Sequence, residues 1–187
     1  MESDFGEAPS QMLEEWMRSP QVLATFARHY KTNEAIPVDL VARMNRASAY
    51  GRGMWASQQN AYTAISYGMY KDKPQSTDPD KITTDALKQY TLFKQLPDTH
   101  LYAAFGHLGG YSSAYYTYLW DKVIAEDFFE QFDRANLLTG EAGMRYRKQV
   151  LEPGGSKPAN ELVKSFLGRP QNMAPFQKWM SEEFEKP

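Results

Sequence analysis

The chain contains no cysteine. That excludes disulfides, thiolate metal sites and cysteine nucleophiles, and it leaves the redox compartment open. Histidine is scarce: His29, His100 and His107 are the only three in 187 residues. No two of them stand four apart, so the chain lacks a His-Glu-x-x-His string, which sets two imidazoles on one helix face for zinc. No apolar run approaches the roughly 20 residues that cross a bilayer, so no membrane is expected as a partner. The opening Met1-Glu2-Ser3-Asp4 has neither the basic nor the apolar region of a signal peptide. Neither sign of charge dominates, with 21 Lys and Arg against 23 Asp and Glu. A polyanion-binding surface is therefore not indicated, and nucleic acid is not an expected partner. Sustained alternation of apolar and polar residues is also missing, so no sheet is expected.

What is present is ordinary in bulk. Hydrophobic content of 42% and charged content of 24% suit a soluble globular protein, and the length supports a real core. The expectation is a single helical domain over residues 1–187, all-α in class. The unusual quantity is aromatic content, 14%, including 12 tyrosines. A buried tyrosine hydroxyl must find a partner, so a tyrosine-rich interior suggests a polar cleft.

Periodicity and helix-start signals place the elements. Ser19-Pro20 reads as an N-cap followed by a first-turn proline, with Val22, Leu23, Phe26 and Tyr30 at helical spacing behind it. Pro37 opens a second helix with Leu40, Val41 and Met44 on one side. A longer helix is expected from about Gly53 to Lys71, and another from Asp78-Pro79 with Ile82, Ala86, Tyr90 and Phe93 on its apolar face. Pro97-Asp98 breaks the chain before His100. The most hydrophobic helix is expected from about Tyr111 to Phe132. Gly140 starts a short helix that ends at Pro153-Gly154-Gly155. Two more follow, about Ala159 to Leu167 and Ala174 to Phe184, separated by Gly168-Arg169-Pro170.

Two stretches carry chemistry. The first is Asp4-Phe5-Gly6-Glu7-Ala8-Pro9-Ser10-Gln11-Met12-Leu13-Glu14-Glu15-Trp16. The second runs Phe105-Gly106-His107-Leu108-Gly109-Gly110-Tyr111 through Tyr118-Leu119-Trp120. Taken alone, Glu7 reads as a dipole-favoured surface residue near a helix start. By spacing alone Tyr111, Tyr115 and Tyr118 read as a packing seam along one helix face, two turns long. Both stretches, however, resemble the thimet oligopeptidase (M3) family. So does the end of the chain, with Arg145-Tyr146-Arg147, Val150-Leu151-Glu152-Pro153-Gly154-Gly155 and Phe166-Leu167-Gly168-Arg169-Pro170. The resemblance covers the chain from Asp4 to about Met180.

The resemblance implies the C-terminal part of a zincin-like catalytic domain that hydrolyses short peptides. It implies that Glu7 is the third zinc ligand, completing a set whose two histidines come from a His-Glu-x-x-His helix. It makes Tyr111 and Tyr118 donors to the substrate carbonyl as it becomes an oxyanion. His107, Gly109, Gly110 and Tyr115 are implied to line the substrate. The two glycines allow backbone conformations closed to other residues and close approach to a ligand. Arg145 and Arg169 read as structural, and His29 as a histidine favoured at a helix C-terminus.

Only six residues precede Glu7. The two histidine ligands are thus expected from outside these 187 residues, and the chain is expected not to hydrolyse peptides by itself. The surface that the absent segment would cover is expected to be apolar, so self-association or a partner segment is anticipated. The alternative reading is a metal-free peptide-binding or interaction module that kept the tyrosine-lined cleft.

Overall fold

The computed structural model describes residues 1–182, and these fold as helices joined by short turns. In order they are α1 (Ala8–Glu14), α2 (Pro20–Phe26), α3 (Val38–Ala49) and α4 (Arg52–Tyr70). Then come α5 (Pro79–Tyr90) and two one-turn helices, α6 (Leu101–Ala104) and α7 (His107–Gly110). The series ends with α8 (Thr117–Phe129), α9 (Gly140–Tyr146), α10 (Ala159–Leu167) and α11 (Ala174–Ser181). Among the described residues there is no β-strand, only an isolated bridge between Arg28 and Ala35. The fold class is all-α, as the sequence indicates.

The start signals act as expected. The Ser19 side chain accepts from the Val22 N–H, and Asp78 accepts from the Lys81 N–H, each followed by proline at the first helical position. At the far end of α10 Gly168 adopts φ 73°, the left-handed conformation that closes a helix, and the Pro170 that follows prevents continuation.

Several boundaries differ from expectation. The helix expected to reach Tyr30 stops at Phe26, and Tyr30 is exposed in a turn. His29 therefore does not sit at a helix C-terminus. Its Nδ1 instead accepts from the Thr32 N–H at 3.2 Å, which holds the turn. On α3 only Val41 of the expected apolar side is buried, together with Ala49, whereas Leu40 and Met44 face solvent. Phe93 lies beyond the end of α5 and is exposed. The helix expected from Tyr111 to Phe132 begins at Thr117 and ends at Phe129. Ser113, at φ 58°, is the reason for its late start: a left-handed residue interrupts the helical path. The short helix α9 runs on as a π-helical turn, Arg147–Leu151, before Pro153 stops it. Phe184, the expected end of the last helix, lies outside the described residues.

The described residues divide into two compact units, one formed by residues 1–50 and 121–182, the other by Gly51–Trp120. In the first unit the core gathers Phe5, Met12, Phe128, Phe132, Tyr146, Leu162 and Phe166. Phe128 meets Phe5, Tyr146 and Phe166 edge-on at centroid distances of 6.1, 5.8 and 5.1 Å, the arrangement aromatic quadrupoles favour. Trp16 closes one side against Phe129 and Phe132 and donates its indole N–H to the Leu137 carbonyl at 3.2 Å.

In the second unit α4 packs along α5. The close approach is made possible by Gly68, where a Cβ would stand 2.7 Å from Ile82 Cγ2. Ile65, Ala86, Phe105 and Tyr115 form the core, with Tyr62, Leu101, Leu108 and Tyr118 packed around it.

Candidate functional site

The second unit carries the residues expected to meet substrate. His107 opens α7, and Tyr111 caps its other end, its N–H returning to the His107 carbonyl at 2.7 Å. Two side chains of α4 fasten this segment. Buried Ser66 donates to the Tyr111 carbonyl at 2.9 Å, and the Tyr70 hydroxyl donates to the Leu108 carbonyl at 2.5 Å. The chain then turns through Ser113 and re-enters helix at Thr117, so that Tyr118 lies in the first turn of α8.

Tyr111 and Tyr118 thus do not share one helix face, yet their rings lie 5.4 Å apart. The turn between them achieves what a shared helix was expected to. The His107 ring sits 5.7 Å from each of them and 5.3 Å from Tyr115. His107 is exposed, while Tyr111 and Tyr118 are half-buried. Tyr115 is different. It is buried against Tyr62 and Phe105, and burial pushes its phenol up to about 12, with Tyr118 and Tyr62 adding to the shift. Its ring lies 5.3 Å from His107 and 5.0 Å from Tyr118.

Gly109 and Gly110 permit conformations closed to other residues and close approach to a ligand. Neither has a positive φ; both lie in α7, and a Cβ on either would meet nothing within 4 Å. A cleft of about 550 Å³ lies beside Gly110, lined also by Tyr62, Leu101, Phe105, His107 and Tyr111 among others.

Glu7 belongs to the first unit. It is the residue before α1, half-buried, and its backbone N–H donates to the Asp121 carboxylate at 2.7 Å. Its own carboxylate accepts from the Ser10 hydroxyl at 3.2 Å. A catalytic zinc takes three protein ligands. Among the described residues no group of three or more His, Asp or Glu side chains could hold a metal ion. The described residues alone therefore do not make up a zinc centre.

The first unit also holds a buried charge cluster that sequence reasoning did not single out. Lys122 lies between Glu15 at 3.0 Å and Glu126 at 2.7 Å, beneath the Trp179 ring at 4.8 Å. Arg18 holds the other oxygen of Glu15 at 3.0 Å. Burial outweighs the pull of Lys122 and lifts the Glu126 carboxyl to about 7, with Glu15 adding repulsion. Asp127, fully buried, is gripped by both terminal nitrogens of Arg169 at 2.7 Å and accepts from the Asn172 N–H at 2.9 Å. Arg169 is thereby structural, and Arg145 lies over the Phe166 ring and donates to Gln131. The available signal was four charged residues, Asp121, Lys122, Glu126 and Asp127, inside the most apolar helix, where charge is tolerated only if paired.

The chain matches Peptidase family M3 over residues 1–182. It is 34% identical to the thimet-like oligopeptidase of Dictyostelium discoideum over 187 residues, 95% of this chain and 27% of that protein. It is 31% identical to the dipeptidyl carboxypeptidase of Escherichia coli (strain K12) over 177 residues, covering 92% of this chain and 26% of that one. The oligopeptidase A of Salmonella typhimurium is 31% identical over 170 residues, 89% of this chain and 25% of its own length. The chain thus spans about a quarter of the length of these curated relatives. With the family match running from Met1 to Glu182, the chain belongs to peptidase family M3.

Proposed function

We propose that this chain is the part of a zinc-dependent M3 peptidase that supplies one metal ligand, Glu7, and two oxyanion donors, Tyr111 and Tyr118, for hydrolysis of short peptides. Two histidines of a His-Glu-x-x-His helix outside these residues complete the ligand set, so the chain by itself does not hydrolyse peptides. The metal, when bound, would activate water and polarise the scissile carbonyl.

The residues of this chain have separate tasks. Tyr111 and Tyr118 donate their phenol O–H groups to the carbonyl oxygen as it gains negative charge, and each such donor is worth about 10²–10³ in rate. His107, exposed beside them, contacts the substrate backbone. Ser66 and Tyr70 keep the segment in place by holding the carbonyls of Tyr111 and Leu108. The single observation that carries the reading is the gathering of the His107, Tyr111 and Tyr118 rings within 5.4–5.7 Å of one another.

Leu13, Met17, Leu40 and Met44 in the first unit, and Leu92, Phe93 and Leu96 in the second, are exposed apolar side chains. Such side chains support a covering segment, the portion of the peptidase that bears the histidines.

Calorimetric zinc titration tests the division of ligands. The chain alone is expected to show no stoichiometric submicromolar site, and its mixture with the histidine-bearing segment is expected to show one that Glu7→Gln weakens. Tight, stoichiometric zinc binding by the chain alone would contradict it.

A further inference from the structure

The first unit holds a cavity of its own, between the start of α2, the end of α3 and the end of α8. At about 430 Å³ it falls within the roughly 300–1,000 Å³ of sites that enclose small ligands. None of Glu7, His107, Tyr111 and Tyr118 lines it. Its apolar wall is Pro20, Ala49, Phe129 and Leu137, the last three buried. Three arginines, Arg18, Arg46 and Arg134, and two glutamates, Glu15 and Glu182, also line it.

The three arginines are not equivalent. Arg18 lies between Glu15 at 3.0 Å and Glu182 at 3.8 Å. Arg134 donates to Glu130 at 2.8 Å and covers the Phe129 ring at 4.8 Å. Arg46 is exposed in the last turn of α3, and among the described residues no hydrogen bond or ion pair engages it. Its charge suits the helix dipole there, yet its guanidinium donors stay available. The glutamates do not lack cations: Glu15 is held by Lys122 at 3.0 Å as well as by Arg18. Arg46 is thus the charge beside the apolar wall that a ligand can answer.

A guanidinium takes a carboxylate through two parallel N–H···O bonds. An amine in the same place would be repelled by Arg46, and a phosphate dianion would bring a second negative charge toward Glu15 and Glu182. A ligand without an apolar body would leave the wall to water. We propose that this cavity is a binding site for a small monocarboxylic acid with an aromatic or branched apolar body. Arg46 holds the carboxylate, and Pro20, Ala49, Phe129 and Leu137 take the body.

The test uses the full 187-residue chain and three probes of one shape: 3-phenylpropionate, 3-phenylpropionamide and 3-phenylpropylamine. Dissociation constants come from NMR titration, and the backbone signals that shift locate the site. The acid is expected to bind about tenfold or more tightly than either the neutral amide or the amine, the return on a charge-assisted hydrogen bond. Its shifts are expected to centre on Arg46, Phe129 and Leu137. Arg46→Gln is expected to bring the acid to within about threefold of the amide, with a thermal melt confirming that the variant is folded. Equal binding of acid and amide by the parent chain, or no binding of the acid, would overturn the site. So would shifts centred elsewhere, or survival of the full acid-to-amide ratio in the folded Arg46→Gln chain.

Discussion

The Glu7 backbone N–H donates to the carboxylate of Asp121 at 2.7 Å, joining residues 114 positions apart in sequence. Asp121 is fully buried. A buried carboxyl oxygen thus fixes the start of α1, and with it the one carboxylate that the family resemblance assigns to the metal. Removing the acceptor leaves an amide without its partner, a loss of about 1–3 kcal/mol. Asp121→Ala is expected to lower the stability of the chain by that amount, and Asp121→Asn, which keeps an acceptor oxygen, by less. Denaturant unfolding measures both; an alanine variant as stable as the parent would show that the contact does not anchor the helix.

The cluster of Glu15, Lys122 and Glu126 makes stability depend on pH in a direction opposite to that of a simple surface ion pair. Burial raises the Glu126 carboxyl from 4.5 to about 7. An acid whose pKa rises on folding holds its proton more tightly in the folded state. Its contribution to stability is complete below 4.5 and is lost as pH climbs through about 7. Glu126→Gln is expected to flatten the decline in unfolding free energy between those two values. Parallel denaturant midpoints for parent and variant across that range would contradict the assignment.

Gly68 is expected to be intolerant of a methyl group. A Cβ there would stand 2.7 Å from Ile82 Cγ2, closer than packed carbons approach. Gly68→Ala is expected to cost about 1–3 kcal/mol through overpacking. Adding Ile82→Ala should recover part of the loss, because the second change removes the colliding atoms. A double variant no more stable than Gly68→Ala would place the cost elsewhere.

The sequence exposes the helices and the tyrosines unequally. Capped helices such as α2 and α5 are readable because Ser19-Pro20 and Asp78-Pro79 act locally, through side chains that reach only three residues ahead. The break at Ser113 is not readable, since serine carries no preference for a positive φ strong enough to override an apolar helical pattern. The tyrosines are legible as a group through family resemblance, but their mode of approach comes from that turn. Asp121 and Lys122 are legible only as anomalies in an apolar helix, because their partners Glu7 and Glu15 lie more than a hundred residues away.

In the reconstituted peptidase, Tyr111→Phe and Tyr118→Phe each remove one phenol donor and keep the ring that packs against His107. Each is expected to lower kcat by about 10²–10³ with little change in KM, since the hydrogen bond strengthens as charge develops on the oxygen. A loss confined to KM would make the tyrosines binding residues instead. Steady-state kinetics on a single short peptide separates the two.

The central claim is that this chain holds part of a peptidase site and is completed by a histidine-bearing segment. Hydrolysis of a quenched fluorescent peptide with added zinc tests it most directly, using the chain alone and the chain mixed with the segment that bears His-Glu-x-x-His. The account predicts no hydrolysis by the chain alone and hydrolysis by the mixture that Glu7→Gln abolishes. Hydrolysis by the chain alone, or an inactive mixture in which the chain still binds peptide, would contradict it, the latter outcome in favour of a metal-free binding module.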